Sequence, residues 1–378
     1  MPIFVVGVSI FLLVFLINHA YKRLWDKGLT FDARFSSKEA FEGDTLYLRE
    51  SLTNKKFLPL PWVYSKTVIP PALTLLDNNK EPLPKKGAKG SLYSIMMYTA
   101  IRRRHPFVCQ KRGMYALRYS RLAVDNLMHT KQYYMDVKLR GDLLVFPKII
   151  DNFHNIDVIY KHLDSAVLSK QIINPDPFEF KGIRDYLPTD MLKSINFKAS
   201  AVSQKLMVNI HAPTAARRMM IILNMDSCGP RTHLELYEQG IRLAATLSRH
   251  YIEQGIRLAF STNGMDGATA LPMRLDGGTS TDHLYKIFEC LARLSVSFQC
   301  APMADDMYRL IDREQVHLFI SSNHDADVLT AFEDLQNRGV DAFMVVPYFR
   351  GMTPSIGDNP RIFTWDATPE EGFEEETA

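Results

Sequence analysis

The first segment of the chain is apolar on every side, whereas the rest alternates between strand-like and helix-like patterns. Residues Pro2 to Ile17 are apolar apart from Ser9, and a basic, aromatic stretch runs from Tyr21 to Lys27. Because an α-helix rises about 1.5 Å per residue, about 18–20 such residues just cross a hydrocarbon core of about 30 Å. We therefore predict a transmembrane anchor over residues 1–20.

Two other interpretations of this segment stay open. A cleaved secretory signal would begin with basic residues, and no Lys or Arg precedes the apolar run. A buried helix of a soluble domain would carry a polar face, which this run lacks. The uncharged start and the basic far end favour a single pass through the cell membrane, with the N-terminus outside and the bulk of the chain in the cytoplasm.

Short alternating runs, broken by Gly, Pro and Asn, predict an all-β sandwich-like domain over residues 21–150. Residues 45–52 alternate after the turn pair Gly43-Asp44, and residues 62–69 lie between prolines. Four further strands are predicted, over residues 91–101, 114–124, 133–139 and 143–147.

After residue 215 the pattern changes to alternating strands and helices. Residues 218–224 are continuously apolar, which is typical of a parallel strand buried on both faces. Thr232 and Glu235 have the spacing of a capping box, and an apolar stripe follows at helical spacing, formed by Tyr237, Ile241, Ala244, Leu247 and Tyr251. Later segments predict helices over 281–294, 305–311 and 325–337 and strands over 256–261, 316–321 and 341–347. This order predicts a doubly wound α/β domain over residues 216–366 and a disordered acidic tail over 367–378.

The net charge of +3 hides an asymmetry between the two halves. Residues 1–150 contain 24 Lys and Arg against 11 Asp and Glu, whereas residues 151–378 contain 21 against 31. A basic domain next to a bilayer is attracted to anionic lipid. Nucleic-acid binding and a merely solvated loop are the other interpretations of its densest patches, residues 85–89 and 102–104. The four cysteines show no zinc spacing and are typical of reduced cytosolic thiols.

The connector between the two predicted domains, residues 151–215, contains the most distinctive motif. It includes Arg184-Asp-Tyr186, Thr189-Asp190 and Lys193-Ser-Ile195-Asn196-Phe197-Lys198-Ala-Ser-Ala201. This pattern resembles the signature of the bacterial domain of unknown function 58 family, with Thr189, Lys193 and Phe197 standing where the family usually has Gly, Arg and Trp. The segments Arg112-Gly-Met-Tyr115 and Val145-Phe-Pro147 extend the resemblance over about residues 105–225.

The motif also has a physical logic of its own. Thr189 or Asp190 is a candidate cap for a short helix whose Met191, Leu192 and Ile195 would face inward. The planar guanidinium of Arg184 suits a bidentate pair with the Asp190 carboxylate. The hypotheses for this set are a structural network or a partner-binding surface, and its residues are Arg184, Tyr186, Asp190, Lys193, Asn196 and Lys198.

The resemblance implies that the C-terminal domain is von Willebrand factor A-like, with a magnesium site after the first strand. In this sequence the corresponding positions are Asn224, Asp226 and Cys228, with Thr279 in the later loop and Asn323 where a further Asp belongs. Mg²⁺ prefers oxygen ligands in octahedral geometry, and a thiol is a poor substitute for a hydroxyl. We therefore predict a degenerate site at Asn224, Asp226 and Thr279 without a bound cofactor, Mg²⁺ being the one candidate.

No nucleophile elbow, zinc-protease motif or phosphate-binding loop occurs in the sequence, so no catalytic residue is predicted. The favoured hypothesis is a non-enzymatic, membrane-anchored interaction protein or adaptor. The resemblance implies a MoxR-type AAA+ ATPase as its partner, since such proteins are commonly encoded together. The alternatives are a metal-dependent hydrolase of the cell envelope that uses Asp226, and a module that binds anionic lipid or nucleic acid through the basic β domain.

Overall fold

The chain folds into two compact units, Met1–Lys148 and Ile149–Ala378. The computed structural model describes residues 2–77, 81–83, 88–150, 156–173, 175–188, 190–213, 218–226, 234–296, 300–309, 312–351, 354 and 356–368. Thr189, Ser227, Cys228 and Thr232, as well as Lys85 and Lys86 of the basic patch and nearly all of the acidic tail, lie outside these residues.

The N-terminal unit begins with helix α1, Pro2–Leu24. Over Val6–Leu24 this helix is long and apolar enough to cross a membrane, a test that a signal sequence near the N-terminus also passes. Its early turns expose large apolar side chains such as Phe4 and Phe11, which are 76% and 73% exposed. The sequence pattern thus correctly predicts an apolar helix here.

Among the described residues, nine strands follow α1 and form two sheets, ordered β1-β3-β7-β5 and β2-β9-β8-β4-β6. Along β4 the buried residues recur at every second position after Val63, as expected for strands with one face towards a core. A single cluster of buried apolar residues draws on both sheets, so the core lies between them. The strands are β1 Leu29–Phe35, β2 Glu39–Phe41, β3 Thr45–Asn54, β4 Leu60–Val68, β5 Leu73–Leu75, β6 Ala88–Ile95, β7 Ala100–Cys109, β8 Gly113–Asp125 and β9 Gln132–Phe146.

The C-terminal unit opens with helix α2, Asp157–Ile173, and the antiparallel pair β10, Pro175–Asp185, and β11, Met207–Pro213. Between β10 and β11 lie a 3-10 helix, Leu192–Ser194, and the short helix α3, Phe197–Ser203. This pair with its two small helices forms a separate substructure from the main sheet, because β10 and β11 pair only with one another among the described strands.

The main sheet of this unit has seven strands in the order β14-β13-β12-β16-β17-β18, with β15 added to β13. Strands β12, β13, β16, β17 and β18 run parallel, and β14 and β15 run antiparallel to β13. The strands are β12 Arg218–Asn224, β13 Arg257–Asp266, β14 Pro272–Gly278, β15 Leu294–Ser295, β16 Val316–Ser321, β17 Ala342–Tyr348 and β18 Ile362–Asp366.

Within the described part of the unit, four helices accompany this sheet: α4 Leu234–Glu253, α5 Thr281–Arg293, α6 Met303–Met307 and α7 Ala326–Asn337. The stripe predicted on α4, from Tyr237 to Tyr251, is buried at all five positions. Helix α7 packs its buried face, including Phe332 and Leu335, against Phe319 of β16 and Met344 of β17. The helical spacing of apolar residues in the sequence therefore identifies the buried faces correctly.

The fold class predicted from the sequence is wrong as a description of this chain. The chain is mostly β, with 28% of its residues in helix, and a doubly wound von Willebrand factor A-like domain is not shown. The main sheet of the C-terminal unit departs from the predicted arrangement at a tight turn after Asp266. The Asp266 Oδ1 accepts a hydrogen bond from the Ala268 amide at 2.7 Å, and Ala270 has a φ of 53°. This turn sends the chain straight back beside β13 and makes the sheet mixed.

Candidate protein-interaction surface

The signature residues of the connector all lie on the substructure between β10 and β11. Arg184 is the penultimate residue of β10, and the Tyr186 amide just beyond the strand donates a hydrogen bond to the Leu206 carbonyl at 2.8 Å. Lys193 lies in the 3-10 helix, and Lys198 lies in α3. The structure therefore brings the predicted set into one small region.

Arg184 and Asp190 form a bidentate ion pair, as the sequence suggests. Arg184 Nη1 donates to Asp190 Oδ2 at 2.7 Å and Nη2 donates to Oδ1 at 2.6 Å, and the Leu187 amide adds a bond of 2.9 Å to Oδ2. The hydrogen bonds from Arg184 and from the Leu187 amide lower the pKa of Asp190. The same pair raises the pKa of Arg184. The loop between them is thereby held closed by charge-assisted hydrogen bonds.

Asn196 organises the second half of the substructure. Its Oδ1 accepts a bond from the Ala199 amide at 3.0 Å, which caps α3, and its Nδ2 donates to Asn209 Oδ1 in β11 at 2.7 Å. Asp190 does not cap a described helix, because its carboxylate is engaged by Arg184 and the Leu187 amide, and Thr189 lies outside the described residues. Sequence reasoning placed Asn196 in the motif but missed its capping role, which its position directly before Phe197 could have indicated.

Large apolar side chains are exposed across this substructure. Met191 and Leu192, which the sequence predicts to face inward, are 67% and 73% exposed, and Ile195 is half-buried. The 3-10 helix that follows Met191 is too short to bury a stripe, since it is a single turn, Leu192–Ser194. We call the exposed set the connector surface, and it consists of Phe180, Ile183, Leu187, Met191, Leu192, Phe197, Val202 and Leu206.

Basic side chains accompany the connector surface. Lys193, Lys198 and Lys205 are exposed within the same segment, and the exposed acidic residue there is Asp185. Scattered exposed apolar residues are normal, but a concentration of them bordered by charge is typical of an interaction site. This region is therefore the best candidate for contact with another macromolecule.

The predicted metal positions lie at the main sheet, and two of them come together. Asn224 ends β12, and its Oδ1 accepts hydrogen bonds from the Asp226 amide at 2.8 Å and from Asn263 Nδ2 at 2.9 Å. Its Nδ2 donates to Ser321 Oγ at 2.9 Å, and this hydroxyl donates to the Asn323 carbonyl at 2.6 Å. These residues form a closed, buried network at the carboxyl ends of the parallel strands.

Thr279 is not part of that network. Thr279 follows Gly278, which pairs with Leu258 near the start of β13. Asn224 lies much further along β13, because Leu223, the residue before it, pairs with Thr262. Five residues of strand separate the two levels, which is about 16 Å at about 3.3 Å per residue. Thr279 thus lies at the opposite end of the sheet, because β14 runs antiparallel.

These residues do not fit a bound Mg²⁺. The side-chain carbonyl of Asn224 already accepts two hydrogen bonds, and Thr279 lies too far away to complete a coordination shell. No group of three or more His, Cys, Asp or Glu side chains suited to a metal occurs among the described residues. Asn263, which sequence reasoning missed, supplies the amide that closes the network and also donates to the Ala301 carbonyl at 2.9 Å.

A second buried polar cluster, also missed from the sequence, lies inside the N-terminal sandwich. The Glu50 carboxylate, which is 1% exposed, accepts hydrogen bonds from Ser91, from Tyr93 and from His105 Nε2. Glu50 stands in an alternating strand at a position facing the core, and that period-two register was the signal available in the sequence.

No family model matches this chain, and no curated protein matches it either. The solved structures named below each match about one third of it. The seventh ScaB type I cohesin from Pseudobacteroides cellulosolvens is 14% identical with a TM-score of 0.21, and the match covers 33% of this chain and 97% of that one. The CARDB domain of a Pyrococcus furiosus protein, in complex with di-metal ions, is 11% identical with a TM-score of 0.18, and the match covers 30% of this chain and 94% of that one.

A cohesin crystallised in a cohesin–dockerin complex from Clostridium thermocellum is also similar, at 15% identity and a TM-score of 0.21, covering 31% of this chain and 99% of that one. The matched cohesins are binding domains rather than enzymes. They are β domains, and they give no support to a von Willebrand factor A-like assignment. Similarities with such low identities and TM-scores do not indicate the function of this chain.

Proposed function

We propose that this protein is a membrane-anchored, non-enzymatic interaction protein whose connector surface binds a protein partner. The observation that carries the proposal is the exposure of eight large apolar side chains within residues 180–206. Contact of apolar surface with water is unfavourable by roughly 25 cal/mol per Å², so burial of these side chains by a partner supplies binding energy. Helix α1 is the proposed anchor.

The ion pair between Arg184 and Asp190 supports this proposal because it fixes the loop that presents Leu187 and Met191. A partner that meets a pre-formed surface loses less conformational entropy on binding than one that must order a loop. The ion pair also agrees with the hypothesis of a structural network, which is compatible with partner binding. In this proposal the polar residues of the motif hold the substructure together, and the apolar residues bind the partner.

The proposed partner is a MoxR-type AAA+ ATPase, and the basis for this choice is the resemblance of the motif from Arg184 to Ala201. The exposed Lys193, Lys198 and Lys205 favour a partner surface that is acidic around an apolar centre. In this proposal the N-terminus lies outside and the bulk of the chain lies in the cytoplasm, where such an ATPase would meet it. The protein acts as the adaptor that holds the ATPase at the membrane.

The test measures binding of the purified ATPase to the full chain in detergent micelles. The double variant Leu192→Ser, Phe197→Ser should weaken binding at least about tenfold, since each substitution removes apolar area worth more than 1 kcal/mol. The matched control is Leu271→Ser, because Leu271 is 62% exposed but lies outside the connector. Equal affinities for the wild type and the double variant would contradict the proposed surface, and no binding by the wild type would contradict the ATPase as partner.

The orientation has a test of its own. Protease added to sealed, right-side-out cells or spheroplasts should leave the chain intact, and protease added after lysis should cut it. Cleavage of the two folded units from the outside would reverse the proposed topology.

A further inference from the structure

The end of the N-terminal sandwich from which α1 emerges carries four short segments: residues 25–28, 55–59, 96–99 and 126–131. The register of the strands puts all four at the same end, through the pairs Leu29–Asn54, Thr53–Ala100, Leu60–Ile95 and Asp125–Gln132. Neighbouring loops are also joined directly, because Asn54 Nδ2 donates to the carbonyls of Leu58 and Met96 at 2.9 and 3.0 Å.

Helix α1 docks its last turns among these loops. The Tyr21 side chain is buried, and its hydroxyl donates to the Pro59 carbonyl at 2.7 Å. Asn126 Nδ2 donates to Asn18 Oδ1 at 2.8 Å. The anchor is therefore packed against its domain rather than joined to it by a free linker.

The docked turns belong to the same stretch that is apolar enough to span a membrane. Val6–Leu24 has 19 residues, which as a helix measures about 28 Å, close to the hydrocarbon thickness of about 30 Å. Asn18 and Tyr21 lie inside that stretch, so the loops that hold them lie beside the span. If α1 crosses a bilayer over this stretch, these loops lie at the level of its surface.

The tips of these loops are apolar and exposed. Phe57 is 72% exposed, Tyr98 69% and Met96 58%. We call the exposed set the loop-tip patch, and it consists of Phe57, Met96, Met97, Tyr98, Leu127 and Met128.

The loops at the other end of the sandwich show the opposite composition. Residues 36–38, 42–44 and 110–112 contain only Ser, Lys, Glu, Gly, Asp, Gln and Arg, whereas the connection 69–72 at the same end is Ile-Pro-Pro-Ala with Ile69 buried. Register places them there, since Thr45 pairs with Val108 and Gly113 pairs with Val145. The loops at the end next to α1 thus have large exposed apolar tips, whereas the loops named at the other end are polar or have their large apolar side chain buried.

Aromatic and basic side chains complete the apolar end. Trp25 stacks on Tyr133 with ring centroids 5.4 Å apart, and Trp62 packs on His129 at 3.9 Å. Trp and Tyr are enriched where a membrane protein passes through the headgroup region. Basic residues are exposed in and beside the same loops, where they would meet lipid phosphates: Lys22, Arg23, Lys27, Lys55 and Lys131.

We propose that the loop-tip patch inserts into the interfacial region of an anionic bilayer around the exit of α1. Phe57, Tyr98 and the methionines enter the boundary between headgroups and acyl chains, and the lysines bind lipid phosphate. The inference rests on the proposed membrane anchoring and sharpens it: the β domain is held against the bilayer in one fixed orientation, and the polar end of the sandwich points away from the membrane.

The experiment uses the full chain reconstituted in vesicles of phosphatidylcholine and phosphatidylglycerol. Two variants place a new tryptophan at an exposed aromatic position, Phe57→Trp at the apolar end and Tyr47→Trp near the start of β3, at the polar end. Brominated phosphatidylcholine quenches tryptophan only at short range. The emission of each variant is corrected by subtracting that of the wild type, and near-native circular dichroism establishes that both variants fold.

The expected result is that brominated lipid lowers the additional emission of Phe57→Trp at least about twofold, as insertion of about 5–10 Å into the interface requires. The additional emission of Tyr47→Trp should be unchanged. Absence of quenching at position 57 in a chain that floats with the vesicles would overturn the inference and leave the anchor intact. A chain that fails to float would instead overturn the anchoring itself.

Two further outcomes separate a lipid from other occupants of the patch. A blue-shifted, unquenched emission at position 57 that depends on protein density in the membrane would assign the patch to contact between copies of the chain, and would overturn the inference. Equal quenching at positions 57 and 47 would show that the domain has no fixed orientation, which also contradicts it.

Discussion

The Glu50 carboxylate and the His105 imidazole lie 3.1 Å apart, although Glu50 is enclosed between the two sheets of the sandwich. Burial by itself raises the pKa of Glu50, but hydrogen bonds from His105, Tyr93 and Ser91 outweigh it, so that the pKa lies below its ordinary value. The carboxylate is therefore held ionised inside a β-sheet core by donors from β6 and β7. A charge of this kind stabilises the fold only while all of its donors are present.

This relationship predicts a specific acid sensitivity. Because the folded-state pKa of Glu50 is lowered, its ionised form stabilises the folded state fully above the unfolded pKa. This stabilisation is lost as the pH falls from the ordinary glutamate range through the lower folded-state pKa. Glu50→Gln should flatten the acid side of the pH–stability curve of the N-terminal unit relative to the wild type. Thermal unfolding of the full chain, followed by tryptophan fluorescence at a series of pH values, measures the difference.

Removing the Glu50 carboxylate altogether should lower the free energy of unfolding more than neutralising it does. Glu50→Ala leaves Ser91, Tyr93 and His105 without their acceptor and should lower the free energy of unfolding by about 3 kcal/mol, as is typical of a broken buried polar network. The control is Glu39→Ala, since Glu39 is exposed in β2. An alanine at position 50 that unfolds like the wild type at neutral pH would show that the cluster does not contribute to stability.

The ion pair of the connector should control local order rather than global stability. Asp190→Asn removes the charge that Arg184 binds, and the Leu187 amide loses its charged acceptor. We expect faster hydrogen exchange across residues 185–190 with little change in the melting temperature, because both partners are partly exposed. Hydrogen exchange measured by mass spectrometry on the full chain checks this, and the conservative Asp190→Glu should restore part of the protection.

The network at Asn224 should resist conversion into a metal site. Asn224→Asp restores the first carboxylate of the resembled motif but replaces the Nδ2 donor to Ser321 with an acceptor. Calorimetry should detect no binding at millimolar Mg²⁺, because Thr279 lies at the other end of the sheet. The variant should also be less stable by about 1–3 kcal/mol, the usual effect of a buried unpaired polar group. Tight binding of Mg²⁺ by the variant would contradict the placement of Thr279.

Two glycines of the C-terminal unit should respond to alanine in opposite directions. A Cβ at Gly264 would lie 2.6 Å from Leu294 Cδ1 and 2.7 Å from Met225 Cγ, so Gly264→Ala should destabilise the unit by about 1–3 kcal/mol through overpacking. A Cβ at Gly240, inside α4, would lie 3.7 Å from Ile320 Cγ2, an ordinary contact. Gly240→Ala should therefore stabilise the helix by about 0.5–1 kcal/mol. Thermal unfolding of both variants tests the pair.

Much of the local structure can be predicted from the sequence, because it depends on neighbours in the chain. The apolar run that forms α1, the alternation in β3 and β4 and the helical stripe of α4 are periodic patterns that local geometry converts directly into buried faces. The pairing of Arg184 with Asp190 is predictable for the same reason, since the two residues are only six positions apart in the chain. The candidate surface at residues 180–206 was located by its motif.

The exposure of that surface could not be predicted. Met191 and Leu192 look like core residues in the sequence, and they are exposed because only one short turn forms there and no other described element covers it. The loop-tip patch is similar. Phe57, Met96 and Met128 are distant in sequence, and only the register of the strands that their loops join places them at the same end of the sandwich.

The apolar helix, the strand-rich half, the basic charge of residues 1–150 and the position of the connector motif are therefore encoded in local patterns of the sequence. The position of Thr279 at the other end of the sheet from Asn224, and the enclosure of Glu50 by donors from other strands, depend instead on the tertiary structure. The physical reason is the range of the interactions: hydrophobic periodicity and capping act over a few residues, whereas strand direction, strand register and the packing of sheets are settled by contacts between segments far apart in the chain.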